Sequence, residues 1–194
     1  MARPALLRIS TGAVLLLLCA RCHLPEQQGS AGMQINSADS NLNPVNGILY
    51  RDNELFTGTV YTLYPGTTDT ATIANFVDGK EQGVWKKFYD NGSLKEKRSF
   101  ENGRKTGEYV AYWENGLQQL QYFFENDVYE GTCREWNRDG TLIKEMNYKN
   151  GYEKGSQKMF YDNGKVRSNY TIINGRRYGL LGTKNCVNVS DSIF

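Results

Sequence analysis

Side chains able to do chemistry are few in this sequence and stand far apart. The one histidine, His23, precedes the patterned part of the chain. A Ser–His or Cys–His pair needs a base within hydrogen-bond reach of its nucleophile, and that base is lacking. Beyond residue 22 the only cysteines are Cys133 and Cys186, too sparse a set for zinc without histidine. Carboxylates such as Glu125 with Asp127, or Glu153 with Asp162, have the form of a glycosidase pair. They fall where turns are expected, and turns are rich in acids anyway. The glycines are evenly spaced and open no helix, so they make no phosphate loop. Catalysis, a cofactor and a metal are all expected to be absent.

What remains is binding chemistry. Phe88, Tyr112, Trp136 and Phe160 recur every 24 residues and read as an aromatic stripe, the candidate binding surface, beside Lys95, Gln119 and Arg167. A peptide, glycan or lipid headgroup would suit it, although aromatics on a thin sheet also serve to cover their neighbours. Charge adds little. The chain has 23 Lys+Arg and 21 Asp+Glu, and Arg3, Arg8 and Arg21 all lie before residue 23. Such a balance provides no field to attract nucleic acid, so none is expected as a partner.

The elements that position the stripe are tandem repeats. Cut every 24 residues from Val77, the sequence aligns without a gap over 77–100, 101–124, 125–148 and 149–172. Residues 53–76 are a worn first copy and 173–188 a truncated last one, as expected of units that cap a stack. Each copy holds two period-2 stretches separated by Asp-Asn-Gly or a variant, a hairpin signal. The expected fold is all-β, an antiparallel hairpin meander of about ten to twelve strands forming one elongated twisted sheet. A two-residue loop at Asn91-Gly92 would pair Lys87 with Glu96, Trp85 with Arg98 and Phe88 with Lys95. The same rule pairs Tyr109 with Tyr122, Ala111 with Leu120, Glu135 with Lys144, Cys133 with Met146 and Gln157 with Tyr170. The complementary charges support this register and put a largely apolar side inward. Cys133 and Cys186 would stand about 19 Å apart on such a sheet, too far for a disulfide unless the tail folds back.

Residues 1–22 read as an export signal, with Arg3 and Arg8 ahead of the apolar run Ile9–Leu18, which is too short to span a bilayer. Cys19 and Cys22 follow it in a manner that resembles a bacterial lipoprotein signal, and Cys19, with Leu16 three places before it, is the expected lipidation site, Cys22 the alternative. Residues 23–46, rich in Gln, Ser, Asn and Gly, read as a flexible tether. The repeat domain is expected over 47–188 and a tail over 189–194.

The spacing of Asp78-Gly79, Gly83, Trp85, Phe88, Tyr89, Asn91-Gly92 and Leu94 resembles the bacterial MORN-variant repeat, including proteins grouped as YwqK-type antitoxins. The resemblance implies a non-catalytic β-hairpin array engaged in protein contacts and carries over no active-site residue. Asp127 in place of Gly, Cys133 and Gln157 in place of Trp85, and Asn137 in place of Tyr89 depart from the pattern. Together these features predict an exported, lipid-anchored scaffold of the bacterial envelope that binds a protein partner. The alternatives are an antitoxin-like protein, starting at Met33, that neutralises a toxin, and a carbohydrate-acting or glycan-binding protein.

Overall fold

Two kinds of tight turn alternate along the chain and set its architecture. In the computed structural model, which describes residues 32–182, Asp78-Gly79, Asn102-Gly103, Asn126-Asp127, Asn150-Gly151 and Asn174-Gly175 each place two consecutive residues at positive φ. That is a two-residue type I′ turn, whose twist matches the strands it joins. Midway between these lies the other kind. The Gly92 N–H donates to Tyr89 O at 3.0 Å and the Tyr89 N–H to Ser93 O at 2.8 Å. Asp90-Asn91-Gly92 is thus a three-residue loop closed by a left-handed glycine, and it recurs at Gly116, Gly140 and Gly164.

Alternation of the two turns folds each strand back on the last. The result is a 14-stranded sheet in which neighbours in sequence are neighbours in space. Every pairing from Gly58–Leu63 to Arg176–Leu180 is antiparallel. The fold is the expected all-β hairpin meander.

The predicted register holds in the strand bodies. Trp85 faces Arg98, Lys87 faces Glu96, Tyr109 faces Tyr122, Cys133 faces Met146 and Gln157 faces Tyr170. It fails at the loops. Phe88 faces Leu94 rather than Lys95, because the three-residue loop consumes one residue more than a two-residue turn. A one-residue bulge then returns it. Lys95 has no partner between the Phe88–Leu94 and Lys87–Glu96 pairs. The same bulge recurs at Gln119, Ile143 and Arg167. Two departures of opposite sign therefore cancel along each hairpin.

The N-terminal part departs from expectation. Within the presumed tether 23–46, Gln34–Asn36 pairs in parallel with Gly58–Leu63, and Leu42–Val45 joins Ile48–Arg51 and Glu54–Leu55 in a separate three-stranded sheet. Folded structure thus begins before residue 47, and the protein has a second small sheet and one parallel pair. The export signal, Cys19, Cys22, Cys186 and the tail 189–194 lie outside the described residues.

Burial concentrates on one face of the large sheet. A continuous rung runs Thr72, Lys87, Glu96, Ala111, Leu120, Glu135, Lys144, Met159, Ser168. On this side Phe100, Ala111, Cys133, Met146, Ser168 and Tyr170 are buried. Gln157, where Trp85 stands in the second repeat, is fully buried, yet each end of its amide is satisfied. Its Nε2 donates to Asn147 O and Lys154 O, and its Oε1 accepts the Asn147 N–H. A buried amide so bonded avoids the desolvation penalty of an unpaired one.

Candidate functional site

The alternation of a strand sends Phe88, Tyr112, Trp136 and Phe160 to the side opposite the buried rung, and all four are half-buried. They do not stack on one another. Residues 24 apart stand two strands apart, about 10 Å, beyond the centroid separation of about 7 Å at which rings interact. Among the described residues the ring contacts lie on the buried side instead. Tyr109 packs on Tyr122 at 6.0 Å, Tyr122 on Tyr129 at 5.5 Å, Phe124 on Tyr129 at 4.9 Å and Tyr129 on Tyr148 at 5.0 Å. All but the Tyr129–Tyr148 pair come from paired strands, which bring rings within reach.

That same side holds a polar network. Tyr109 Oη donates to Glu96 at 2.7 Å and Arg98 Nη2 donates to the same carboxylate oxygen at 2.8 Å. Burial pushes the Glu96 carboxyl up, but the bonds from Arg98 and Tyr109 outweigh it and hold the group below the usual glutamate range. Arg98 also lies over the rings of Trp85 at 5.2 Å and Tyr109 at 4.5 Å. From the same repeat as Tyr109, Tyr122 Oη donates to Glu135 of the next, which pairs with Lys144. Burial, then that bond, pushes the Tyr122 hydroxyl strongly up. The free thiol of Cys133 is likewise pushed up by burial. These groups are bonded inward and serve the sheet.

The bulges change the stripe's surroundings. Lys95 was expected beside Phe88, but its ammonium sits 5.0 Å from the centre of the Tyr89 ring, on the side that carries Tyr89 and Trp113. Together with Gln119 it lines a groove of about 670 Å³ at the three-residue loops, bounded also by Tyr89, Trp113, Glu114, Asn115 and Arg138. Arg167, with Ile143, Tyr161 and the stripe residue Phe160, lines a second groove of about 350 Å³ there. The stripe therefore keeps its place but faces Leu94, Gln118, Leu142 and Val166 across the strand in place of the predicted partners, and Phe160 still shares a groove with Arg167.

Tyr89 and Trp113 also tie hairpin to hairpin. Tyr64 Oη donates to Phe88 O at 2.6 Å, Tyr89 Oη to Tyr112 O at 2.9 Å, and Trp113 Nε1 to Trp136 O at 3.2 Å. Each stripe residue but the last is thus held at its backbone by an aromatic of the preceding unit. Asn137 interrupts the series and instead accepts the N–H groups of Asp139 and Thr141 in its own loop. Sequence reasoning overlooked this row as a positioning element, although its spacing was visible beside the stripe. At the type I′ end the Gly103, Asp127 and Gly151 N–H groups donate to the carbonyls of Glu81, Lys105 and Tyr129. Asp127 keeps the left-handed φ of the glycine it replaces and accepts the Lys105 N–H at 2.8 Å.

These hairpin units can be set against known families. The sequence profile of the MORN repeat variant matches residues 81–102, 129–150 and 153–174. There the chain is similar to the MORN repeat variant. No curated protein matches the chain. MORN repeats are generally linked to protein or membrane interaction and are generally non-catalytic. That accords with a sheet in which Glu96, Glu135 and Glu145 are engaged in bonds between strands.

Proposed function

We propose that the protein is a non-catalytic repeat scaffold that binds a protein partner through the face carrying Phe88, Tyr112, Trp136 and Phe160. It is held at the bacterial envelope by a lipid on Cys19, or failing that on Cys22. The observation that supports this reading is the division of labour between the two faces. One packs its rings against one another, whereas the other sets one half-buried aromatic per hairpin, and three of the four, Phe88, Tyr112 and Trp136, sit on a backbone bonded from the unit before. A row of rigid aromatics at about 10 Å intervals is suited to a protein surface, where such residues supply large contact area at small entropic loss. The leader sequence supports the address, since export followed by lipidation places a cysteine first in the mature chain.

A photo-crosslinking residue at Tyr112 tests the contact. Irradiated cells should yield a discrete adduct that the same residue at Tyr152, exposed on a type I′ turn, does not give. Equal labelling from both positions, or none from Tyr112, refutes the assigned face. Mass spectrometry of the mature N-terminus tests the anchor, and an unmodified first residue would dismiss it.

A further inference from the structure

Where charges face each other across this sheet they are matched, with one exception. On the stripe's face the central rung pairs Val110 with Gln121, Arg134 with Glu145 and Glu145 with Lys158, and Arg134 Nε lies 2.9 Å from Glu145. In the second repeat the same rung sets Lys86 directly opposite Lys97. Side chains so placed have Cβ atoms about 5 Å apart, and like charges there are destabilising. The outer neighbours offer no relief, for Lys86 faces Ile73 and Lys97 faces Val110. Nearby acids are committed or remote. Glu96 points to the other face and is bound by Arg98 and Tyr109. Glu108 accepts from Gln121 at 2.7 Å, and Glu101 lies four residues beyond Lys97, about 13 Å along the strand. Among the described residues neither lysine takes part in an ion pair.

We infer that the Lys86–Lys97 pair is the docking point for an acidic segment of the partner protein, whose carboxylates enter between the two ammonium groups while an adjacent aromatic or apolar side chain lies against Phe88. The inference rests on the scaffold reading above and names the chemistry its partner must present. Phe88 follows Lys86 by two residues and so shares its face. An anionic bilayer fits less well. Recognition of that kind uses clusters of about four to eight basic residues, whereas here the two lysines are followed on the same face by Glu108 and Glu145.

Fluorescence anisotropy of a labelled peptide of alternating Glu and Tyr, titrated with the full chain, provides the test. Binding should weaken about tenfold or more in K86Q/K97Q, fall with added salt, and be absent for the same peptide with Gln in place of Glu. The variant chain should melt at or above the wild-type temperature, since it loses a repulsion, so weaker binding is not explained by unfolding. Equal affinity of K86Q/K97Q, equal binding of the Gln peptide, or binding of phosphatidylglycerol vesicles but not of the Glu peptide overturns the inference. A Tyr112 adduct that persists unchanged in K86E/K97E also overturns it while leaving the scaffold reading intact.

Discussion

The two edges of the large sheet are finished in different ways. At the N-terminal edge Gln34–Asn36 covers Thr59, Val60 and Tyr61 in parallel, and the Leu49 N–H of the small sheet donates to Gly79 O in the first type I′ turn of the large sheet. Phe56, only 4% exposed, is wedged beneath and meets Phe76 edge-on at 6.2 Å. At the other edge Arg176–Leu180 pairs on one side among the described residues, and all five of its residues are exposed. In a stack of hairpins each unit takes its burial from its neighbours, so a terminal unit is stable only as far as something caps it. Non-repeating sequence caps the first unit, whereas the last described strand relies on one neighbour alone.

The largest expected effect is at the wedge. Phe56→Ala should cost about 3–4 kcal/mol in urea unfolding, the usual loss for a buried phenylalanine. A cost under about 1 kcal/mol would mean that the small sheet rides on the large one without stabilising it. Next comes a matched pair of glycines. Gly79 and Gly103 occupy equivalent turns at φ of 75° and 78°, so alanine at either meets the same backbone penalty, about 1–2 kcal/mol. At Gly79 the added carbon would also stand 2.6 Å from Ile48 Cγ2 and 2.8 Å from Leu49 O, whereas at Gly103 the nearest atom is Lys80 Cβ at 3.6 Å. Gly79→Ala should therefore be the more damaging by about 1 kcal/mol or more. Equal losses would place the cap's contact elsewhere.

Acid separates the interior from the open edge. Glu96 has its folded pKa depressed, so its contribution is present above the unfolded glutamate value and lost as pH falls through the folded one. Stability should drop as pH goes from about 5 towards 3, and Glu96→Gln should flatten part of that drop. Glu153, paired with Arg177 at 2.9 Å beside the C-terminal edge, is a surface contact of little worth. Glu153→Gln should cost less than about 1 kcal/mol in urea unfolding at neutral pH, less than Glu96→Gln, and an equal loss would erase the distinction.

The sequence made the strand bodies legible and left the loops and the cap obscure, for physical reasons. Lys87 opposite Glu96 and Glu135 opposite Lys144 satisfy a charge rule that only one register meets. The 24-residue period follows directly from the glycines. Asn-Gly, by contrast, suits both a two-residue turn and the end of a three-residue one, and the bulge that compensates for the longer loop leaves no trace in strand-body pairing. That hidden pair of shifts is why Phe88 was placed correctly while Lys95 was assigned to the wrong side. The strand Gln34–Asn36 is short and largely polar, and a parallel partner 25 residues away has no local signature, so the sequence there reads as tether.

The smallest effect is expected at the open edge. Leu180 is 50% exposed and, among the described residues, faces only Asn169 across the strand. Leu180→Lys should change unfolding free energy by less than about 0.5 kcal/mol, as surface substitutions do. Its influence should fall on association, because an exposed edge strand offers backbone groups to another sheet, and a lysine there discourages such pairing. Amide exchange gives the companion measurement. Backbone amides of Arg176–Leu180 should exchange ahead of those of Thr59, Val60 and Tyr61, which are paired on both sides. A loss above about 1 kcal/mol for Leu180→Lys, or equal protection of the two strands, would mean that the C-terminal edge is covered as firmly as the N-terminal one. The stack would then be capped at both ends, with melting expected to be as cooperative at one as at the other.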